Sequence, residues 1–322
     1  MRTNPGGQLA PNEVVGRDRE IEQLWAHLDK QSVVITAERR MGKTSVVKKM
    51  MAEQPEQIYC VYQEIEGIQS PLKFVEAIIQ EIRTYLSLRE RTKGNWQKFR
   101  QAMSEAKFMG VNVPRATDTD WQDRLTSVMA DLSAQLCQLS PDLLFVFFWD
   151  ELPMAIDNIR KECGNSSAMA VLDTLRSIRQ THANLRMVYT GSVGLHHIVS
   201  TLKTNGYLGT PTNDMYPFNL PPLAKVDALN LARELLIGEG LVMDDREVVA
   251  QTIVTAVDCI PFYIHASIDR LKRKPSPITS DTVLEMIRDS LSNANPWDID
   301  HYQMRIKSYY GVERWRIALQ TL

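Results

Sequence analysis

Short β-branched or aromatic runs alternate with amphipathic stretches over the first two thirds of the chain, and then the strand-like runs stop. In EVVGRDREIEQLWAHLDK, Ile21, Leu24, Trp25 and Leu28 recur at helical spacing and form one apolar stripe. SVVIT (32–36) is a run of the kind buried on both faces of a parallel sheet, and TSVVKKMMAEQ after it continues as a helix. IYCVYQEIE (58–66) predicts a second strand. PLKFVEAIIQEIRTYLSL (71–88) predicts an amphipathic helix opened by proline. The helix WQDRLTSVMADLSAQLCQL leads into the strand DLLFVFFWDE. The helix AMAVLDTLRSIRQTH, the strand LRMVYTGS, the short helix LHHIVSTLKT and the strand DMYPFNLPPL follow. Strands alternating with helices imply a parallel, three-layer α/β sheet.

From about Lys225 onward four consecutive helical patterns, KVDALNLARELLIGEG, DREVVAQTIVTAVD, PFYIHASIDRLKR and TSDTVLEMIRDSLSN, predict a separate helical domain. Glycine, proline and asparagine cluster in residues 1–12, which read as a disordered arm. Residues 89–118 are a polar and basic insertion with a short hairpin pattern at AKFMGVNVP. From residue 299 the chain interleaves aromatic and basic residues in a new pattern that runs to Leu322.

Bulk properties narrow the class. At 322 residues the chain exceeds one ordinary core, so two or three domains are expected. The net charge of −2 confines any nucleic-acid contact to a local patch. Cys60, Cys137, Cys163 and Cys259 are scattered without metal-ligand spacing and read as reduced thiols. The adjacent His196 and His197 point about 100° apart on a helix, a poor metal site. LLFVFFW is too short to span a bilayer, and the N-terminus lacks an apolar signal core, so a cytoplasmic protein is expected.

The chemistry is concentrated at ITAERRMGKTS (35–45). Gly42, Lys43 and Thr44 match the end of a phosphate-binding loop, but Ala37 stands where the first glycine belongs. Such a loop aims backbone N–H groups at phosphate from a helix N-terminus. Lys43 would reach the β- and γ-phosphates, and the Thr44 hydroxyl would hold Mg²⁺. Alanine substitutes for the first glycine at modest cost if φ there is negative. Asp150 ends an apolar strand, where a phosphate-loop enzyme completes its Mg²⁺ site; the adjacent Glu151 is placed to polarise a water as general base.

VVGRDREIEQL, ITAERRMGKTSVV, FFWDELP, VYTGS and YPFNLPPL occur in an order that resembles the archaeal-type ATPase family, among the STAND and AAA+-like P-loop NTPases. The resemblance spans roughly residues 13–320. It implies that Val15, Gly16 and Arg17 line an adenine pocket, that Thr190 senses the γ-phosphate, and that Pro261 packs on the base. The phosphate-loop contacts it implies come from Arg40, Met41, Gly42, Lys43, Thr44 and Ser45. The family's usual Gly-Pro is Ala37-Glu38 here, and its glycine before the proline motif is Cys259, departures that suggest slow or regulated turnover. Arg176 and Arg179 are candidates for an arginine completing a neighbour's site. Arg39 and Arg40 match the family's usual pair.

The expectation is a three-layer P-loop NTPase domain over 13–223, a helical lid over 224–298 and the start of a winged-helix-like region over 299–322. Its cofactors are ATP and Mg²⁺, and its role an ATP-hydrolysing switch controlling a partner protein or nucleic acid, with a defence or mobile-element system as the setting that the resemblance implies. Its partners would be an effector or further copies of itself. DNA would meet it through the basic residues of 89–115 or through RLKRK (270–274). The alternative is a non-hydrolysing nucleotide-gated scaffold or DNA-binding module.

Overall fold

The structure, a computed structural model, describes residues 1–87, 120–191 and 194–292. The hairpin pattern of the insertion, the basic stretch 89–115 and the region from 299 lie outside them. The described residues form two compact units, one comprising those of Arg17–Arg39 and Lys43–Leu220, the other those of Met1–Gly16, Arg40–Gly42 and from Pro221 to Ser292.

The first unit is built on five parallel strands: β1 (Val33–Thr36), β2 (Ile58–Glu64), β3 (Leu144–Asp150), β4 (Leu185–Tyr189) and β5 (Tyr216–Asn219). Their spatial order is β2-β3-β4-β1-β5. Around them lie α1 (Asp18–Leu28), α2 (Lys43–Ala52), α3 (Pro71–Ser87), α4 (Trp121–Leu139), α5 (Leu152–Cys163), α6 (Asn165–Thr181) and α7 (Leu195–Thr204). Central β3 and β4 are buried almost throughout, whereas edge strand β2 turns exposed toward its end and edge strand β5 is buried only at Phe218. That is the burial a parallel sheet covered on both faces requires.

Aromatic contacts fix the layers. Phe74 of α3 meets Trp149 edge-on at 5.4 Å between ring centres, and Trp25 of α1 meets Phe148 at 6.4 Å. Successive strand residues point to opposite faces, so α1 and α3 cover opposite sides of the sheet. Helix α5 is not predicted by the sequence pattern as read above, although Leu152, Ala155, Ile156 and Ile159 form its buried stripe. Its early proline suits the first turn of a helix, where the missing N–H has no intrahelical acceptor.

The second unit carries α8 (Lys225–Gly238), α9 (Arg246–Ala256), α10 (Pro261–Leu271) and α11 (Ser280–Ser292) around one apolar core that includes Leu231, Leu235, Ile253, Ile264 and Ile287. Asp245 caps α9 by accepting from the N–H groups of Glu247 and Val248. Residues 1–12 do not form the free arm that their composition suggests. Thr3 donates from its backbone N–H at 2.7 Å and from its hydroxyl at 2.6 Å to Glu239, and the Asn4 N–H donates to His265 Nδ1 at 3.1 Å. Polar side chains of the helices thus satisfy backbone that would otherwise need water.

Candidate nucleotide site

In the sheet unit the candidate side chains converge where β1, β3 and β4 end. The link leaving β1 crosses to β2 on one side, and the link leaving β4 crosses β1 to reach β5 on the other, so the two connections diverge. Crevices at such switch points, outside the carboxyl ends of parallel strands, are where open α/β sheets bind ligands. A cavity of about 260 Å³ lies there, lined by Thr36 at the end of β1, Ala37 and Glu38 after it, Thr190 and Gly191 after β4, and Asn219 of β5.

Asp150 is the hub. Its Oδ2 accepts the Thr44 hydroxyl at 2.8 Å and the Tyr62 hydroxyl at 3.0 Å. Its Oδ1 accepts the Thr190 hydroxyl and the Glu151 N–H. A hydroxyl has one proton and two lone pairs, so Thr44, its proton committed to Asp150, has lone pairs to offer a cation. Burial first, and then the charge of Asp150, push the Tyr62 phenol well up, which keeps it protonated and donating. Lys43 donates its ammonium to the carbonyls of Ala37 at 3.0 Å and Glu38 at 3.2 Å, closing the loop on itself.

The loop backbone explains which residues the pattern demands. Gly42 has φ +85°, and a Cβ there would meet nothing within 4 Å, so the space in front of the loop is open. Arg40 also adopts positive φ, at 76°, without being glycine. Ala37 is not among the residues with positive φ, which accounts for alanine at this position. Glu151, directly after β3, is left-handed at φ 60° and ψ 32°. Such strain in a residue that could be asparagine or glycine is of a kind held at functional sites. Ser45 follows in the first turn of α2 and is half-buried.

Other predicted site residues, Arg17 excepted, belong to the helical unit. The Arg40 guanidinium lies over the Phe262 ring at 3.9 Å, and Met41 is buried. Gly16 has φ +68°, and a Cβ there would press on the side chain of Asp227 at 2.3 Å, so glycine is required on two counts. Pro261 opens α10 after Asp258 and Cys259, both left-handed, so the glycine that the resemblance expects at Cys259 has a conformational reason. Arg17 is almost fully buried, with Glu20 at 3.9 Å.

The two arginines on α6 differ. Arg176 is half-buried, and its Nε has no hydrogen-bond partner among the described residues. Arg179 is not the surface arginine that a helix position suggests. Its guanidinium is buried, bidentate on Asp214 at 2.8 and 2.9 Å, and donates to the Tyr189 hydroxyl at 2.6 Å and to the Pro211 carbonyl. It holds β4 to the chain before β5. In RLKRK, Lys272 pairs with Asp269 at 2.7 Å and Lys274 with Asp289 at 2.8 Å, so local acids offset part of this basic cluster. The rings of His196 and His197 lie 4.0 Å apart, tilted by 39°. No group of three or more metal-ligating His, Cys, Asp or Glu occurs among the described residues, and no described helix is long and apolar enough to cross a membrane.

A magnesium-bound nucleotide fits this donor set: an ammonium and a helix N-terminus for phosphate, and a hydroxyl beside a carboxylate for a hard cation that prefers oxygen ligands. Tyr62 is the site residue that sequence reasoning missed. No spacing rule marks a tyrosine in an edge strand, and only the β2–β3 register brings it to Asp150.

No family model and no curated protein matches the chain. Solved structures do. A Walker-type ATPase of Pyrococcus abyssi superposes with TM-score 0.61 at 15% identity, covering 94% of this chain and 79% of its own. The Orc2 protein of Aeropyrum pernix, in ADPNP–ADP complexes, gives 0.52 at 10% identity over 99% of this chain and 88% of its own. Its ADP form gives 0.50 at 9% identity, covering 99% and 87%. The likeness is one of fold: a parallel α/β sheet of the kind that the Walker-type ATPase carries.

Proposed function

We propose that this chain is a magnesium-dependent ATPase switch of the archaeal-type ATPase family. The observation that carries the reading is the convergence of Thr44, Thr190 and Tyr62 on the two oxygens of Asp150 beside a loop closed by Lys43. Bound Mg²⁺ would neutralise charge on the β- and γ-phosphates. Thr44 and Asp150 would hold it, Thr44 through a lone pair and Asp150 as anionic neighbour.

Lys43 would exchange its two carbonyl acceptors for phosphate oxygens, a stronger, charge-assisted pairing. Gly42 and Ser45 would present backbone N–H groups, with Arg40 and Met41 shaping the loop. Glu151 would accept a proton from the attacking water, and Thr190 would report on the γ-phosphate. The resemblance would give Gly16, Arg17 and Pro261 roles toward the base, and Arg176 would complete a site on a neighbouring copy. The sheet unit with its insertion would serve as the NTPase domain, the helical unit as its lid, and the chain from 299 as the start of a winged-helix-like region.

The output we propose is control of a partner's assembly or activity, a partner protein or a nucleic acid. A defence or mobile-element setting rests on the family resemblance, and a cytoplasmic location on the scattered cysteines, read as reduced thiols. Titration with fluorescently labelled ATP tests the core of the proposal. Lys43→Ala should weaken binding by about tenfold or more while leaving the melting transition in place, the worth of losing one charge-assisted contact. Unchanged affinity would remove the phosphate-loop assignment.

A further inference from the structure

Asp150 has a donor that the phosphate-loop pattern does not supply. In the parallel pairing of β2 with β3, Tyr62 sits opposite Phe148 and Glu64 opposite Asp150. Tyr62 and Asp150 therefore occupy the same face of the sheet. From there the Tyr62 hydroxyl reaches Oδ2 at 3.0 Å, the oxygen that also takes the Thr44 hydroxyl at 2.8 Å. The Lys48 ammonium, one turn after Thr44 on α2, lies 5.8 Å from the centre of the Tyr62 ring. The ring is thus held from the helix that carries Thr44.

The arrangement leaves the carboxylate little freedom. Thr190 and the Glu151 N–H hold Oδ1, while Thr44 and Tyr62 hold Oδ2. Turning the carboxylate would break bonds at both ends. If the Tyr62 hydroxyl were absent, Thr44 would be the one hydroxyl left on Oδ2, and a swing of the carboxylate would redirect the Thr44 proton toward the space its lone pairs should face. Hydrogen bonds to a charged acceptor are the stronger kind, and a fully occupied acceptor is fixed in orientation.

We infer that Tyr62 is a positioning residue for the metal half of the site: it locks Asp150 so that Thr44 keeps its lone pairs directed at the cation. It acts through Asp150 and does not itself touch nucleotide. Tyr62 therefore governs how much magnesium adds to nucleotide affinity, not nucleotide affinity as such. The inference rests on the ATP-site reading above.

The test is an equilibrium titration of the full chain with fluorescent ATP, once in EDTA and once in excess Mg²⁺, for the unaltered protein and for Tyr62→Phe. Phenylalanine keeps the ring beside Lys48 and removes only the hydroxyl. The expected result is a loss of about tenfold in the magnesium-dependent gain, with the affinity in EDTA within about twofold and the melting transition retained. An unchanged magnesium gain overturns the inference. Equal losses in EDTA and in Mg²⁺, or an early-melting variant with an intact magnesium gain, also overturn it, because Tyr62 would then be structural. If the unaltered protein binds no ATP, the site reading itself fails, and the inference falls with it.

Discussion

The hydroxyl of Thr44 donates to the carboxylate of Asp150 at 2.8 Å, although 106 positions separate them along the chain. Strand order explains the meeting. β4 lies between β1 and β3, so the loop after β1 and the end of β3 flank Thr190 at the end of β4. Thr190 bonds the second oxygen of the same carboxylate, which makes the three strand ends one site.

Ala37 tests how the loop is built. It lies outside the positive-φ residues, and its functional contribution in the structure is a backbone carbonyl that accepts the Lys43 ammonium. Ala37→Gly keeps that carbonyl, so ATP affinity should stay within about threefold. Stability should drop by under about 1 kcal/mol, from the greater freedom of glycine in the unfolded chain. Binding titration and denaturant unfolding check both numbers; abolished binding would mean that the loop is not held as described.

Arg179 separates a structural arginine from a catalytic one. Replacing it by leucine strands Asp214 and the Tyr189 hydroxyl around a buried gap. The expected cost is about 3 kcal/mol of folding stability, typical of breaking a buried pair. An Arg179→Leu protein with unchanged unfolding but abolished turnover would instead make this residue the finger that completes a neighbour's site.

His265 makes stability depend on pH. Burial is the main cause that pulls its pKa down to about 4, against an opposing pull from Glu13. Its Nδ1 accepts the Asn4 N–H, so the folded protein favours the neutral ring. The unfolded chain takes up this proton near the ordinary histidine value of about 6.5, so it binds more protons than the fold below that pH. The contribution is complete above about pH 6.5 and lost as pH falls toward about 4, by at most roughly 3 kcal/mol. Comparing melting of the natural chain and His265→Gln across that range checks this, and the variant should show the shallower decline. Parallel curves would contradict it.

The sheet and the strand–loop–helix turn around Gly42-Lys43-Thr44 were legible because their signals are local: unbroken apolar runs for β3 and β4, and a β-branched run followed by a helix from Lys43. The glycine that the resemblance expects at Cys259 also has a local reason, since Cys259 is left-handed at φ 58°. What the sequence hid depends on distant partners. Tyr62 becomes a site residue only through strand register, and Arg179 is buried because Asp214, Tyr189 and Pro211 come from other segments. The N-terminal arm reads as free from its glycines and prolines, yet Glu239 and His265 supply acceptors for Thr3 and Asn4.

Phosphate release from ATP by the natural chain and by Glu151→Gln, in excess Mg²⁺, tests the central claim most directly. The account predicts measurable release by the natural chain, a loss of about 100-fold or more in the variant, and unchanged ATP affinity, the pattern of a lost general base. Equal release rates from the two proteins would contradict it.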